Sequence, residues 1–507
     1  MIFGNGLRKV KKSNPIKQAV LQTPPDLTGA IFVYGRIKSG KTVSILSLAG
    51  LYHDNPNRKY KIIDFWGGSR NEHLYWGLPS NQNKYWNYVK KYFRLDKEGP
   101  RQYKVTYYYP LIGKKMEKKK LPFNPPNVTS KIFTIPIRDI ESKDLALEIG
   151  QVPDNINGIW KDILSDSKKT TTSLEILEEF QKKSRKGNVL YNAVLKPLIK
   201  CGFLQGDSSE LNLTQKDISK ILDDQEEISV ICLDFVDEEH KLFVIGYLLR
   251  KICQELDRKR RKVIGVFRES SEFFRVGDQS VAPDRIKVMK AYLSDWIRMG
   301  RRGLHLLLDT QSPSETRGIV DGQQDLTLLG RLPSEADRKM ATDQLYRDGF
   351  MTKKQVTQLG AMNPGQFMFC PSGKNSYYAY ILLPKCRYWQ EKNGNFYKNV
   401  WEKEVGRWIN FKEEIQRVLE PKSFDKTINS KPLNHQEYVE NIVQDNKIRK
   451  EKIISGKDDQ VFMNHIGVMP EEFNLQEEKQ TNIKNEELII ETKNEEIDPF
   501  EVEIPYT

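Results

Sequence analysis

Two hydrophobic rhythms alternate along the chain. Short apolar runs sit at Ala30–Tyr34 (AIFVY), Tyr60–Phe65 (YKIIDF), 131–137 (KIFTIPI), 228–235 (ISVICLDF), 262–267 (KVIGVF), 303–309 (GLHLLLD) and 325–332 (DLTLLGRL), each the length of a buried strand. Four other stretches, VSILSLAGLY, EEHKLFVIGYLLRKICQEL, PDRIKVMKAYLSDWIRMG and SEADRKMATDQLY, space their apolar residues as a helix does. Strands alternating with helices predict an α/β fold with a mostly parallel sheet covered on both faces. A closing strand pair is expected at QFMFCP and YYAYILLP.

Several stretches leave this rhythm and set the expected domain plan. Residues 1–25 hold Arg8, Lys9, Lys11, Lys12 and Lys17 without an acid, and read as a flexible basic arm. The core then runs over 26–140, interrupted at 88–126 by basic residues interleaved with tyrosines and followed by prolines. That composition suits a projecting hairpin facing a phosphate backbone, or else a solvated insertion whose tyrosines pack locally. Residues 141–225 have helical spacing and read as a helical insertion, after which the core resumes over 226–390. C-terminal helices are expected over 391–455, with Trp401, Val405, Trp408, Ile415 and Leu419 on one face, and a largely disordered acidic tail over 456–507.

Composition narrows the location and the partners. No stretch approaches the ~18 uncharged apolar residues of a membrane span, and the N-terminus lacks an apolar signal region, so a cytoplasmic protein without a membrane partner is expected. Cys201, Cys232, Cys253, Cys370 and Cys386 are odd in number and lack C-x-x-C spacing, which suggests neither a zinc site nor a disulfide framework. The net charge is +13, but residues 471–507 carry 12 acidic and 3 basic side chains, net −9, leaving +22 on the body before them. A basic body suits a polyanion such as nucleic acid, and the acidic end is a candidate contact for a protein partner.

The chemistry centres on Gly35–Thr42, GRIKSGKT, which lies between a strand-length apolar run and a helical one. This is the G-x-x-x-x-G-K-[ST] spacing of a phosphate-binding loop, in which glycines admit the polyphosphate to the backbone N–H groups at a helix start. Gly35, Arg36, Ile37, Lys38, Ser39, Gly40, Lys41, Thr42 and Val43 are therefore the expected nucleotide-binding residues. Lys41 is placed to reach the β- and γ-phosphates and Thr42 to offer its hydroxyl to Mg²⁺. Hydrolysis also needs a carboxylate at a strand end, a glutamate to orient water and a polar sensor of the γ-phosphate. Two strands compete for the carboxylate: VICLDF, ending in Asp234 with Glu238 and Glu239 beyond, and VIGVFRESSEFF, ending in Arg268 and Glu269. Asp64 either joins the site or caps the Gly-Gly turn that follows it.

The order VIGVFRESSEFF, then IRMGRRGLHLLLDTQSPSE, with the P-loop before them and GRLPSEADR and a Gly-Gln-Phe strand after, resembles the HerA/FtsK superfamily of DNA-pumping ATPases. The resemblance spans most of residues 26–390, and it covers conjugative and viral packaging relatives. It implies a RecA-like P-loop NTPase fold, ATP and Mg²⁺ as cofactors, and a hexameric homo-oligomer acting on double-stranded DNA. On this match Glu269 stands where the family has its water-polarising glutamate and Gln311 where it has its sensor. Arg298, Arg301 and Arg302 are the candidates for an arginine that reaches the nucleotide of the next subunit. Arg268 replaces the family's Mg²⁺-directed aspartate, and Asp234 becomes structural. Since the family's sensor strand lies beside the strand carrying that aspartate, Asp309 is expected to face the Mg²⁺ shell instead, with Arg268 paired to it or turned toward phosphate. A purely structural Arg268–Asp309 salt bridge is the alternative. His305 reads as a core histidine. The expected function is an ATP-hydrolysing translocase of double-stranded DNA. The competing readings are a nucleotide-binding scaffold with little hydrolysis and a P-loop NTPase acting on RNA or protein complexes.

Overall fold

Successive residues of AIFVY point to opposite faces, and both faces are core: Ala30 and Phe32 join one apolar cluster, Ile31 and Val33 the other. A strand buried on both sides is what an unbroken apolar run in a parallel sheet requires. The computed structural model describes residues 2–8, 17–22, 26–55, 59–66, 72–77, 99–111, 120–123, 128–141, 154–166, 204–205, 211–233, 238–270, 283–311, 324–381 and 407–410, with single positions between them. By contacts the chain divides into Met1–Leu419 and Glu420–Thr507, and every described residue belongs to the first.

In chain order the described strands are β1 (Ile2–Arg8), β2 (Lys17–Gln22), β3 (Ala30–Tyr34), β4 (Lys61–Trp66), β5 (Lys104–Pro110), β6 (Lys120–Phe123), β7 (Val128–Phe133), β8 (Ile135–Pro136), β9 (Leu204–Gln205), β10 (Glu227–Cys232), β11 (Val263–Phe267), β12 (Leu304–Thr310), β13 (Gln324–Leu329), β14 (Gln366–Pro371), β15 (Tyr377–Ile381) and β16 (Arg407–Asn410). The helices are α1 (Lys41–His53), α2 (Asp154–Asp166), α3 (Gln215–Asp223), α4 (Glu238–Arg258), α5 (Pro283–Arg298), α6 (Glu335–Arg347) and α7 (Lys353–Gln358). The main sheet has 12 strands in the order β2-β1-β15-β14-β13-β3-β12-β11-β4-β10-β5-β7. From β13 to β7 every neighbouring pair is parallel, and β14, β15, β1 and β2 continue it antiparallel. β12 thus lies between the P-loop strand β3 and β11, the RecA-like order that the resemblance implies.

One face is covered by α1, whose Ile45, Leu46, Leu48, Ala49 and Tyr52 are all buried. A helix apolar on nearly every side belongs inside, and α1 is buried along most of its length. The other face is covered by α4 and α5, joined by Trp160 and Ile163 of α2 and by Ile218 and Leu222 of α3. The 141–225 segment therefore contributes to the main core, and Arg250 of α4 ties it down through Asp144 at 3.1 Å. Thr214 and Asp217 form a capping box that starts α3.

Three expectations change. Within the basic arm, β1 and β2 form a hairpin along β15, supplying partners to a backbone edge that would otherwise stand open. Within 88–126, Lys104–Pro110 is an inner strand of the sheet, and Tyr107, Tyr108 and Tyr109 are buried in its two cores. The sequence hid this because three amphipathic tyrosines in a row read as surface. Within the stretch read as C-terminal helix, Arg407–Asn410 is a strand paired antiparallel with β6. The rest of 391–455, all of 456–507, and Lys114, Lys115, Lys118 and Lys119 lie outside the described residues. Among the described residues no helix is long and apolar enough to cross a membrane.

Candidate nucleotide-binding site

The loop Gly35–Gly40 leaves β3 and is held from three sides. Gly35 N–H donates to Thr310 O at 3.2 Å, Arg36 N–H to Arg331 O at 2.9 Å, and Gly365 N–H to Ser39 O at 3.1 Å. The loop is thus stitched to the end of β12, to the segment after β13 and to the entry of β14. Lys38 (φ 66°) and Gly40 (φ 97°) adopt left-handed conformations that curl the backbone around the loop. At Gly40 only glycine takes that conformation without strain. Gly40 caps α1 with no side-chain acceptor, the arrangement in which a helix start can receive an anion. The buried Lys41 donates from Nζ to Gly35 O at 2.8 Å, which places its ammonium against the loop. Arg36, Ile37 and Lys38 are exposed, while Thr42 and Val43 are half-buried in the first turn of α1. The buried Ser39 Oγ has no partner among the described residues.

Beside the loop, the ends of β11 and β12 are locked together. Glu269, itself left-handed at φ 53°, donates its N–H to Asp309 Oδ1. Ser270 donates its N–H to Asp309 O at 2.8 Å and its hydroxyl to the same oxygen. Asp309 is buried, and that burial pushes its carboxyl up to about 6 against the pull of the Lys41 ammonium and the Glu269 amide. Gln311, half-buried, follows Thr310 directly. Lys41, Glu269, Asp309 and Gln311 therefore gather at the edge of the sheet where β3, β11 and β12 end.

Arg268 does not pair with Asp309. It is 2% exposed, and its Nη2 donates to Asp64 Oδ2 at 2.9 Å. The same carboxylate oxygen accepts from Trp76 Nε1 at 2.7 Å, and the guanidinium lies 4.5 Å from the centre of the Trp66 ring. The register sets both carboxylates beside Arg268, and their surroundings separate them. Val266 of β11 lies opposite Asp64 of β4, so Arg268, two residues on, shares a face with Asp64, while one oxygen of Asp309 is occupied by Glu269. Asp64 is thus neither a turn cap nor a phosphate-facing group. Burial raises its pKa, and Arg268 opposes the rise. Sequence reasoning missed this pair, although each partner is a charge at the end of an apolar strand and so demands a counter-ion.

Arg298, Arg301 and Arg302 lie at the opposite edge, before β12 begins. Arg298 faces Asp295 at 3.7 Å, Arg302 pairs with Asp257, and Arg301 is exposed. The length of β12, roughly 20 Å for a strand of this size, separates them from the P-loop of their own chain. Asp234 is outside the described residues, as are the side chains of Glu238 and Glu239. His305 is a core histidine as expected: it is buried, its Nδ1 lies 3.3 Å from Gly29 O, and burial lowers its pKa. Among the described residues no group of three or more acidic, His or Cys side chains converges on a metal position. The oxygen donors beside the loop include the Thr42 hydroxyl and the Asp309 carboxylate.

No family model matches the chain, and no curated protein matches it either. Solved structures that resemble it include VirB4 of Thermoanaerobacter pseudethanolicus, at 13% identity and a TM-score of 0.45, over 75% of this chain and 96% of that one. The bacterial conjugative coupling protein TrwB matches at 10% identity and a TM-score of 0.40, over 71% and 87%. The genome packaging NTPase B204 from Sulfolobus turreted icosahedral virus 2, in complex with AMPPCP, matches at 11% identity and a TM-score of 0.30, over 70% and 98%. With every one of these TM-scores below 0.5, the matches stand as likenesses only.

Proposed function

We infer that this chain is an ATP-hydrolysing motor that moves double-stranded DNA. The observation that carries the reading is the joined edge: a P-loop whose Lys41 lies near the buried Asp309, with the Glu269 amide fastened to that carboxylate. The amides at the start of α1 bind the phosphates, and Lys41 exchanges the loop carbonyls for phosphate oxygens. Glu269 orients the attacking water and accepts its proton, and Gln311, at the end of the neighbouring strand, reads the γ-phosphate.

Mg²⁺ fits the donors present, because it takes one or two carboxylates or hydroxyls together with nucleotide phosphates and water. Thr42 and Asp309 would hold it, and when bound it neutralises charge on the β- and γ-oxygens. The +22 body supplies the attraction for DNA, and a ring of identical chains, a hexamer on the sequence resemblance, brings Arg298, Arg301 or Arg302 to the nucleotide of the next subunit.

The deciding experiment is the ATPase rate of the full chain with and without duplex DNA. Stimulation by duplex supports the motor. Tight nucleotide binding without turnover would instead support a scaffold, the outcome that Arg268 in the aspartate position favours, and stimulation by RNA alone would overturn the DNA assignment.

A further inference from the structure

Arg268 is flanked by two carboxylates and bonds to only one of them. In the parallel register Phe267 lies opposite Leu308, so the next pair of positions sets Arg268 beside Asp309, while Asp64 lies on the other side across β4. Neighbouring strands are about 4.8 Å apart, so an extended arginine side chain spans either gap. Beyond the Glu269 amide that occupies one Asp309 oxygen, the preference for Asp64 comes from that residue's own surroundings. The Trp66 ring lies under the guanidinium at 4.5 Å, and the Trp76 indole fixes the Asp64 oxygen that Arg268 uses. The pair is not saturated: Asp64 Oδ1 and Arg268 Nε and Nη1 have no partner among the described residues. A buried guanidinium left with spare donors next to a second carboxylate takes that carboxylate if its first partner fails.

We propose that Asp64 is a positioning residue that holds Arg268 away from Asp309, keeping the Asp309 carboxylate open toward the metal–nucleotide complex. This rests on the reading of Asp309 as the magnesium carboxylate. A cation stands where such sites need an anion, and the sheet tolerates it because Asp64, Trp66 and Trp76 together form a cage for it. Without Asp64 the guanidinium turns to Asp309, neutralises it and excludes Mg²⁺.

The test compares the affinity of the full-length protein for a fluorescent ATP analogue with and without Mg²⁺, so that the readout is binding. Wild type tightens with Mg²⁺. Asp64→Asn loses about tenfold or more of that tightening, on the scale of second-sphere substitutions at metal sites, while affinity without Mg²⁺ is retained. Asp64→Asn combined with Arg268→Gln restores it, because no cation remains to capture Asp309. A buried pair with only a structural role would instead lower the melting temperature of Asp64→Asn and leave the Mg²⁺ ratio unchanged, and that result overturns the proposal. So does a ratio lost in the single variant and not recovered in the double. Should Asp64→Asn not fold, Trp76→Phe removes only the indole donor and lowers the ratio by a smaller factor; an unchanged ratio there overturns the proposal equally. If Asp309→Asn leaves the ratio of the wild type intact, it is the metal reading of Asp309 that falls, and the positioning role falls with it.

Discussion

At the edge where β3, β11 and β12 end, Lys38 and Glu269 hold positive φ, the two non-glycine residues that do so among those described. At the edge where β11 and β12 begin, the corresponding turn falls on Gly303, and a Cβ there would lie 1.8 Å from Arg261 O. The first edge leaves Asp64 Oδ1 and Arg268 Nε and Nη1 buried without a partner among the described residues. The second edge pairs its charges more fully, although Arg261 Nη1 is buried there without a hydrogen bond. Arg261 donates to Asp223 at 2.9 Å and Lys262 to Asp26 at 2.6 Å, while Asp325 accepts from the Thr28 and Gly29 amides at 2.7 and 2.6 Å. Strain and incomplete pairing cost free energy, and they persist where a ligand is to complete them. The two edges differ most in backbone strain, the difference expected if the P-loop edge is the working one proposed above.

The sharpest way to break this comparison is Lys41→Ala. It removes the cation proposed to face phosphate and should abolish ATP binding or turnover, read by nucleotide titration and phosphate release. A folded variant with unchanged affinity and rate would remove the P-loop from the mechanism. Next in size is Glu269→Gln. It should bind ATP normally and turn over about 10²- to 10⁴-fold more slowly, since an amide does not accept the proton of the water. Rapid turnover in that variant, with loss on Glu238→Gln or Glu239→Gln, would move the catalytic strand from β11 to the segment after β10.

Much of this edge was legible because its chemistry is local. GRIKSGKT announces a loop by spacing, and the apolar runs of β3, β11 and β12 announce strands by length. The position of β12 beside β11 was implied by the family resemblance. What stayed hidden depends on register across the sheet. Arg268 pairs with Asp64 in surroundings made by Trp66 on β4 and by a tryptophan ten residues beyond it, and neither leaves a periodic trace. Charge also misled. The lysines of the first 25 residues masked the β1–β2 hairpin, and the basic surroundings of Tyr107–Tyr109 masked an inner strand.

The smaller predictions sharpen the comparison, because the two edges should respond to pH with opposite sign. Asp309 has its folded pKa raised to about 6 by burial, so its contribution to stability is full below the ordinary carboxylate range and is lost as the pH rises through 6. At pH 8 its ionised form therefore costs about 3 kcal/mol. Asp309→Asn keeps an acceptor for the Glu269 amide and removes that cost. The ligand-free variant should then melt higher than wild type at pH 8, with the gain shrinking toward pH 4, even as Mg²⁺-dependent turnover falls. Asp223, at the other edge, is its counterpart: bonds from Arg261 and Lys259 hold its carboxyl down at about 2. Its contribution is present above the ordinary carboxylate range and is lost only as the pH falls toward 2. Because its side chain is 47% exposed, solvent screening limits that contribution to under about 1 kcal/mol. Asp223→Asn should accordingly lower the melting temperature slightly at pH 8, less so in high salt, and leave turnover unchanged. If Asp309→Asn instead lowered stability at pH 8 as Asp223→Asn does, Asp309 would be an ordinary ion-pair partner, and the two edges would be alike in the respect that separates them here.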